Sequence, residues 1–106
     1  MSALAPTLQA FFTDRLIRQR QASAHTIVAY RDTFRLLLGY AAGSRGKPPA
    51  GLDFEDLDAT TIGGFLSHLE EDRGASVATR NARLAAIHSL FAFAALRHPE
   101  HAALIA

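Results

Sequence analysis

Through most of this chain the apolar positions recur every three or four residues, the spacing of helices that turn one face to a core. The first stripe follows Pro6, with Leu8, Phe11, Phe12 and Leu16 at i, i+3, i+4 and i+8, and it fades in Arg18-Gln19-Arg20-Gln21. Pro6 suits a first turn, where its missing N–H is not needed. Ser23 reads as an N-cap whose hydroxyl accepts from the free amides of the next turn. Ile27, Tyr30, Phe34, Leu37, Leu38 and Ala41 then predict a helix from about 24 to 42. Gly43 through Gly51, with Pro48-Pro49 inside, reads as a loop long enough to be mobile.

Leu52, Phe54 and Leu57 predict a short turn tucked against the core. Asp58 is the next N-cap, and Ile62, Phe65, Leu66 and Leu69 share one face of a third helix. Gly63-Gly64 weakens that helix by roughly 1 kcal/mol per glycine, which close packing against another helix explains. Gly74 fits a left-handed C′ position. Ser76 caps a fourth helix from about 77 to 97, with a core stripe of Leu84, Ile87, Phe91 and Ala94 flanked by Val77 and Leu90, and Pro99 marks its end. No repeat and no low-complexity tract interrupts the pattern. The fold class is therefore all-α, a compact four-helix domain of two helix pairs joined across the glycine-proline loop.

Composition supports helices over sheets: about a fifth of the 106 residues are alanine. No apolar run reaches the ~18 residues needed to span a bilayer, so no membrane partner is expected. The N-terminus lacks the order of a signal peptide. With no cysteine, a reducing cytoplasm is compatible and a thiolate metal site is excluded. The net charge of +1 hides an asymmetry. Residues 1–47 carry +5, residues 48–72 carry −7 with no base, and residues 73–106 carry +3. A fold that joins the two basic blocks makes a face for a polyanion while the acidic block points elsewhere; the plainer reading is a set of solvated helix surfaces.

Catalytic constellations are missing. There is no glycine-rich phosphate loop, no nucleophile elbow and no cofactor motif. His98 and His101 stand three apart without further ligand spacing, so no metal is expected. The carboxylates of Asp53-Phe54-Glu55-Asp56 suit a helix start.

Polar residues gather at two helix beginnings. On the fourth helix, Ala78, Ala82 and Ala86 form a row on the side away from the expected core, with Thr79 and Arg83 along its edge. Arg80 lies toward the apolar arc, reaching over the helix end or packing its stem on the core. Thr79, Arg80 and Arg83 open a capped helix with no acid nearby in sequence, which suits anion binding. Ser23-Ala24-His25-Thr26 places small polar groups where free amides and the helix dipole favour a phosphate, and Arg31 and Arg35 follow a turn apart. Each feature has a plainer reading: alanine for helix propensity, Thr79 as first-turn support, His25 as a surface histidine. Tyr30 reads as core with its hydroxyl at the rim.

These segments carry a family resemblance. Ser23-Ala24-His25-Thr26-Ile27-Val28-Ala29-Tyr30-Arg31, with Phe34 and Leu37-Leu38 after it, resembles the opening of the second helix in tyrosine recombinases. Ser76 through Phe91 is similar to the fourth, and Asp56-Leu57-Asp58 followed by a helix and Gly74 fits the segment between. The resemblance covers about residues 5 to 97. It points to the N-terminal core-binding, SAM-like domain of the phage integrase and Xer-type recombinase family. Ala82 and His88 depart from it, standing where many relatives carry arginine.

The resemblance implies a core-binding domain over residues 1–97, with 98–106 opening a linker to a C-terminal catalytic domain that lies outside this sequence. In such proteins the two domains clamp double-stranded DNA, with helices two and four on the major-groove side, and other protomers assemble on the same DNA. Strand cleavage and rejoining belong to the catalytic domain, so no catalytic residue and no cofactor is expected here, and Tyr30 and Tyr40 are not nucleophiles. The expected DNA contacts are Thr26, Thr79 and Arg83, then Ser23, His25, Arg31 and Arg80. Two other classes compete: a helical protein-interaction module whose alanine row receives a partner helix, and a stand-alone helix-turn-helix regulator.

Overall fold

The computed structural model of the protein describes residues 4–19 and 21–97, apart from the side chains of Arg18 and Gln19. The expected end signal at Pro99, the His98/His101 pair and the linker over 98–106 lie outside the described residues. The architecture is all-α, with four helical segments and no strand among the described residues. Helix α1 spans Leu4–Ala10 and runs directly into a π-helical segment, Phe11–Gln19. Helix α2 spans Ala24–Arg45, α3 Ala59–Glu71 and α4 Val77–Arg97, with 3₁₀ turns at Pro49–Gly51 and Phe54–Asp56. Helices α2, α3 and α4 pack on one another, and the π segment packs on α4. No helix among the described residues is long and apolar enough to cross a membrane.

The switch from α to π turns follows the spacing of what must be buried. Leu4, Thr7, Phe11 and Leu16 point inward at steps of three, four and five residues. The last step fits the wider i→i+5 turn better than an α-turn. Phe11, fully buried, is the hub that this arrangement serves. Its ring meets Phe12, Phe34 and Phe93 edge-on at centroid distances of 5.9, 6.0 and 5.6 Å, and stacks on Tyr30 at 6.1 Å. Edge-to-face and stacked contacts at such distances add to the area that the rings bury. One residue thereby joins the first segment to α2 and α4.

Helix α2 runs three residues beyond its expected end. Gly43 is helical, and the stop falls at Gly46, which takes the left-handed conformation (φ 66°) and donates its N–H to the Ala42 carbonyl. The added turn carries Arg45, whose Nη2 donates to Asp58 Oδ2 at 2.7 Å at the cap of α3. The glycine-proline connection is accordingly tied down at several points, unlike the mobile loop its composition suggests. Lys47 Nζ donates to both oxygens of Asp56 at 3.0 and 3.1 Å, and Asp53 and Asp56 cap the 3₁₀ turn reciprocally. Leu52, Phe54 and Leu57 are buried beneath it, as their pattern predicts.

Asp58 caps α3 by accepting from the Thr61 amide at 2.8 Å. Of the two glycines that follow, only Gly64 is at a close approach: a Cβ there would collide with the Tyr40 hydroxyl, whereas one on Gly63 would meet open space. Gly74 is left-handed (φ 66°), and the Ala75 amide returns to the Leu69 carbonyl at 2.8 Å.

Helix α4 begins where expected, is helical to Arg97, the last described residue, and has a different rotation. Its buried residues are Ala86, Ile87, Leu90, Phe93 and Ala94, while Leu84 and Phe91 are half-buried flanks. Val77 is 66 % exposed and Ala86 is 1 % exposed, so the alanine row is broken: Ala78 and Ala82 face out and Ala86 lies in the core. The inward arc is turned by about 80°, somewhat less than one residue's step, from the expected one, with Ile87 and Ala94 common to both. The reason is that α4 packs between three partners and needs a broad apolar arc, which the small Ala86 and Ala94 supply beside Ile87 and Leu90.

Candidate nucleic-acid interface

The two helix beginnings that the sequence singles out are built alike. At α2, Ser23 Oγ accepts from the Thr26 amide at 3.2 Å and lies 3.1 Å from the Thr26 hydroxyl. At α4, Ser76 Oγ accepts from the Thr79 amide at 3.1 Å and donates to the Thr79 hydroxyl, also at 3.1 Å. Each Ser-x-x-Thr cap uses one of the free first-turn amides and leaves the others at the positive end of a helix dipole.

The rotation of α4 decides where these ends meet. Thr79 and Arg83 precede Ala86, Ile87 and Leu90 on the inward arc, so they continue the buried stripe beyond the point where it turns polar. They face α2, across an open groove of about 360 Å³ lined by His25, Val28, Asp32, Thr33, Thr79 and Arg83, with Ala29, Tyr30 and Ala82. Arg83 Nη1 donates to Thr33 Oγ1 at 3.0 Å, and the Thr33 hydroxyl donates to the Ala29 carbonyl at 2.9 Å. Arg83 Nε is buried without a partner.

Seven residues were expected at an anion-binding surface, and the groove brings together three of them: His25, Thr79 and Arg83. Ser23 lies at the cap beside it, and Thr26 lines an adjacent recess with Leu16, Ala22 and Tyr30. Arg31 is exposed on the flank of α2, outside the groove, and has no ion-pair partner among the described residues. Arg80 turns away toward α3, where its Nε lies 3.1 Å from Glu70 Oε1, with Nη1 on Asn81. The expectation of no acid near the start of α4 is thus corrected: Glu70, distant by ten positions, comes back across the Gly74 turn.

The acidic block does not simply point elsewhere. It takes up bases from both basic blocks, through Arg45 on Asp58, Lys47 on Asp56 and Arg80 on Glu70. Among the described residues these pairings leave Arg83 and Arg31 without a carboxylate partner. Asp32 also lines the groove, but its carboxylate lies toward Arg35, 3.6 Å away. Thr33 and Asp32 escaped the sequence reading. The signal was present in the i, i+4, i+7, i+8 spacing of His25, Ala29, Asp32 and Thr33, which puts them on one helix face.

Comparison with known proteins agrees with the architecture. The family model of the phage integrase N-terminal SAM-like domain matches residues 9–98. The chain is 55 % identical over 104 residues to the "Putative integrase/recombinase y4rC" of Sinorhizobium fredii, covering 98 % of this chain and 31 % of that protein. It is 48 % identical over 96 residues to "Putative integrase/recombinase y4rD" of the same organism, covering 91 % and 34 %. It is also 34 % identical over 79 residues to "Tyrosine recombinase XerC" of Rhodospirillum centenum, covering 74 % and 23 %. The chain spans about a third or less of the length of these relatives. No solved structure matches it.

Proposed function

The chain belongs to the phage integrase N-terminal SAM-like domain family, and from that premise we propose that it is the DNA-binding domain of a site-specific tyrosine recombinase. On this reading it holds one side of the recombination-site duplex, and a separate catalytic domain on the same polypeptide cuts and rejoins the strands. The chain itself contributes binding and no chemistry. Other protomers share the DNA, and the setting is the cytoplasm, where that DNA is. Residues 98–106 lead toward the catalytic domain.

The observation that carries this reading is the groove lined by His25 and Thr79 from the first turns of two like-capped helices, with Arg83 farther along it. Free first-turn amides and a guanidinium are donors suited to phosphate oxygens. Contacts of that kind fix the position of a duplex and carry no sequence information by themselves. Thr79 and His25 stand at the same opening, and on this reading any direct reading of a base edge falls to Arg83.

The test is a titration of the chain against a labelled mixed-sequence duplex at increasing salt. Binding through phosphates weakens steeply as salt rises, with a log–log slope of about −0.9 for each phosphate neutralised. A partner helix docking on apolar surface would show almost no slope. A flat salt profile, or no binding at low salt, would set the reading aside.

A further inference from the structure

Resting on the reading of the groove as a duplex-binding surface, we propose that Thr33 is a positioning residue: its hydroxyl holds the Arg83 guanidinium at the groove while leaving the full positive charge for the DNA. Thr33 is 2 % exposed, so its hydroxyl has little access to water. Its proton is committed to the Ala29 carbonyl one turn back, at 2.9 Å. That fixes the direction of the oxygen's lone pairs, and one of them accepts from Arg83 Nη1 at 3.0 Å. The anchor belongs to α2 and the guanidinium to α4, so the bond also sets where Arg83 sits relative to the first turn of α2.

Four other arginines show the contrast. Arg35, Arg45, Arg80 and Arg97 each lie against a carboxylate, of Asp32, Asp58, Glu70 and Asp14 respectively. A carboxylate fixes a guanidinium and cancels its field at once. A hydroxyl fixes it and cancels nothing. Arg83 Nε is buried and unpartnered, and among the described residues Nη2 makes no hydrogen bond. A guanidinium held still and partly stripped of water loses less rotamer freedom on binding, and its free Nη2 donors bind an anion more strongly than those of a free surface arginine.

The experiment compares wild type, Thr33→Val, Thr33→Ser, Arg83→Ala and the Thr33→Val/Arg83→Ala double variant. Each is titrated with a labelled mixed-sequence duplex over a salt series, after circular dichroism has shown native helix content. Thr33→Val should weaken binding about threefold with the salt slope unchanged, since no charge is lost. Thr33→Ser should restore wild-type affinity. In the Arg83→Ala background Thr33→Val should have no further effect. In the free protein, the Arg83 Nε–H resonance should be distinct in wild type and Thr33→Ser, and averaged in Thr33→Val.

An equal loss from Thr33→Val with and without Arg83 would overturn the proposal, as would an Nε–H resonance indifferent to Thr33. Should Arg83→Ala change neither affinity nor slope, the groove reading is what fails. The resonance still decides whether Thr33 anchors the guanidinium.

Discussion

The hydroxyl of Tyr40, on α2, occupies the place where a Cβ on Gly64, on α3, would have to go. The Tyr40 ring packs against Phe65 and His68 at centroid distances of 5.9 and 5.4 Å, so moving it aside costs those contacts. Gly64 is thus the residue that lets α2 and α3 approach. Its neighbour Gly63 is exposed and faces open space, where a methyl group costs nothing and relieves the entropy that a helical glycine carries.

Opposite outcomes follow for adjacent substitutions. Gly63→Ala should raise stability by about 0.5–1 kcal/mol, the usual gain of alanine over glycine inside a helix. Gly64→Ala should lower it by about 1–2 kcal/mol, as overpacking of a tight contact does. Urea unfolding of the two variants beside wild type reads the difference directly. Equal effects in the two variants would mean that the Tyr40 contact does not constrain the helices.

This pair also shows how far the chain could be read without coordinates. Close packing was legible from Gly63-Gly64 as a unit, yet nothing in the sequence says which of the two has a neighbour. The caps at Ser23, Asp58 and Ser76 and the turn at Gly74 were legible because they are local, each fixed by one side chain and the backbone within a few residues. The end of α2 was not, since Gly43 and Gly46 are equivalent stop signals until Arg45 finds Asp58. The rotation of α4 was hidden for a similar reason. Alanine fits a surface or a tight core equally well, and only the partners of Ala86 decide. Thr79 and Arg83 were picked out by type, whereas their common face with α2, and Thr33 beneath it, depended on that rotation.

The connection between α2 and α3 should make the domain sensitive to acid. The Asp56 carboxyl, 3 % exposed, is held below its ordinary value of 3.8, first by the Asp53 amide and then by the Lys47 ammonium, against the opposing effect of burial. Asp58 is lowered in the same direction by the Thr61 amide and hydroxyl and by Arg45. With a folded value below the unfolded one, the ionised form contributes its full stability above the unfolded value. The contribution is lost as pH falls through that value toward the folded one, because the unfolded chain takes up the proton first. Thermal unfolding between about pH 5 and pH 3 should therefore fall steeply for wild type. Asp56→Asn should be less stable at neutral pH and fall less steeply, with the remaining slope left to Asp58 and other carboxyls. An unaltered acid profile in Asp56→Asn would show that the Lys47 and Asp53 contacts do not hold the loop.

Glu70 restrains a cation close to the proposed DNA surface. Its carboxylate draws Arg80 Nε to 3.1 Å, and the pair is partly exposed, so it adds little stability, roughly 0–1 kcal/mol. Removing the acid should cost the fold almost nothing and free a guanidinium at the start of α4. Glu70→Gln should bind a mixed-sequence duplex about two- to fivefold more tightly at low salt, with a slightly steeper salt slope. Arg80→Ala should then weaken Glu70→Gln more than it weakens wild type. A Glu70→Gln variant with wild-type affinity would place Arg80, at the start of α4, too far from the duplex to matter.

Arg31 and Arg83 carry the same charge in different settings, and comparing them locates the duplex. Arg83 is anchored, half-buried and lines the groove that His25 and Thr79 of the two helix beginnings also line. A charge-assisted bond from such a group is worth about 1.5–3 kcal/mol, so Arg83→Ala should lose about tenfold or more in affinity and reduce the salt slope by about one. Arg31 is exposed on the outer flank of α2, where a mobile side chain must be ordered before it can bind. Exposed charge pairs are worth about 0.2–1 kcal/mol, so Arg31→Ala should lose no more than about fivefold. Both variants should unfold like wild type, which keeps the comparison one of binding. The reverse order of losses would move the duplex from the groove between α2 and α4 to the outer flank of α2. The like-capped helix beginnings would then be left as structural features alone.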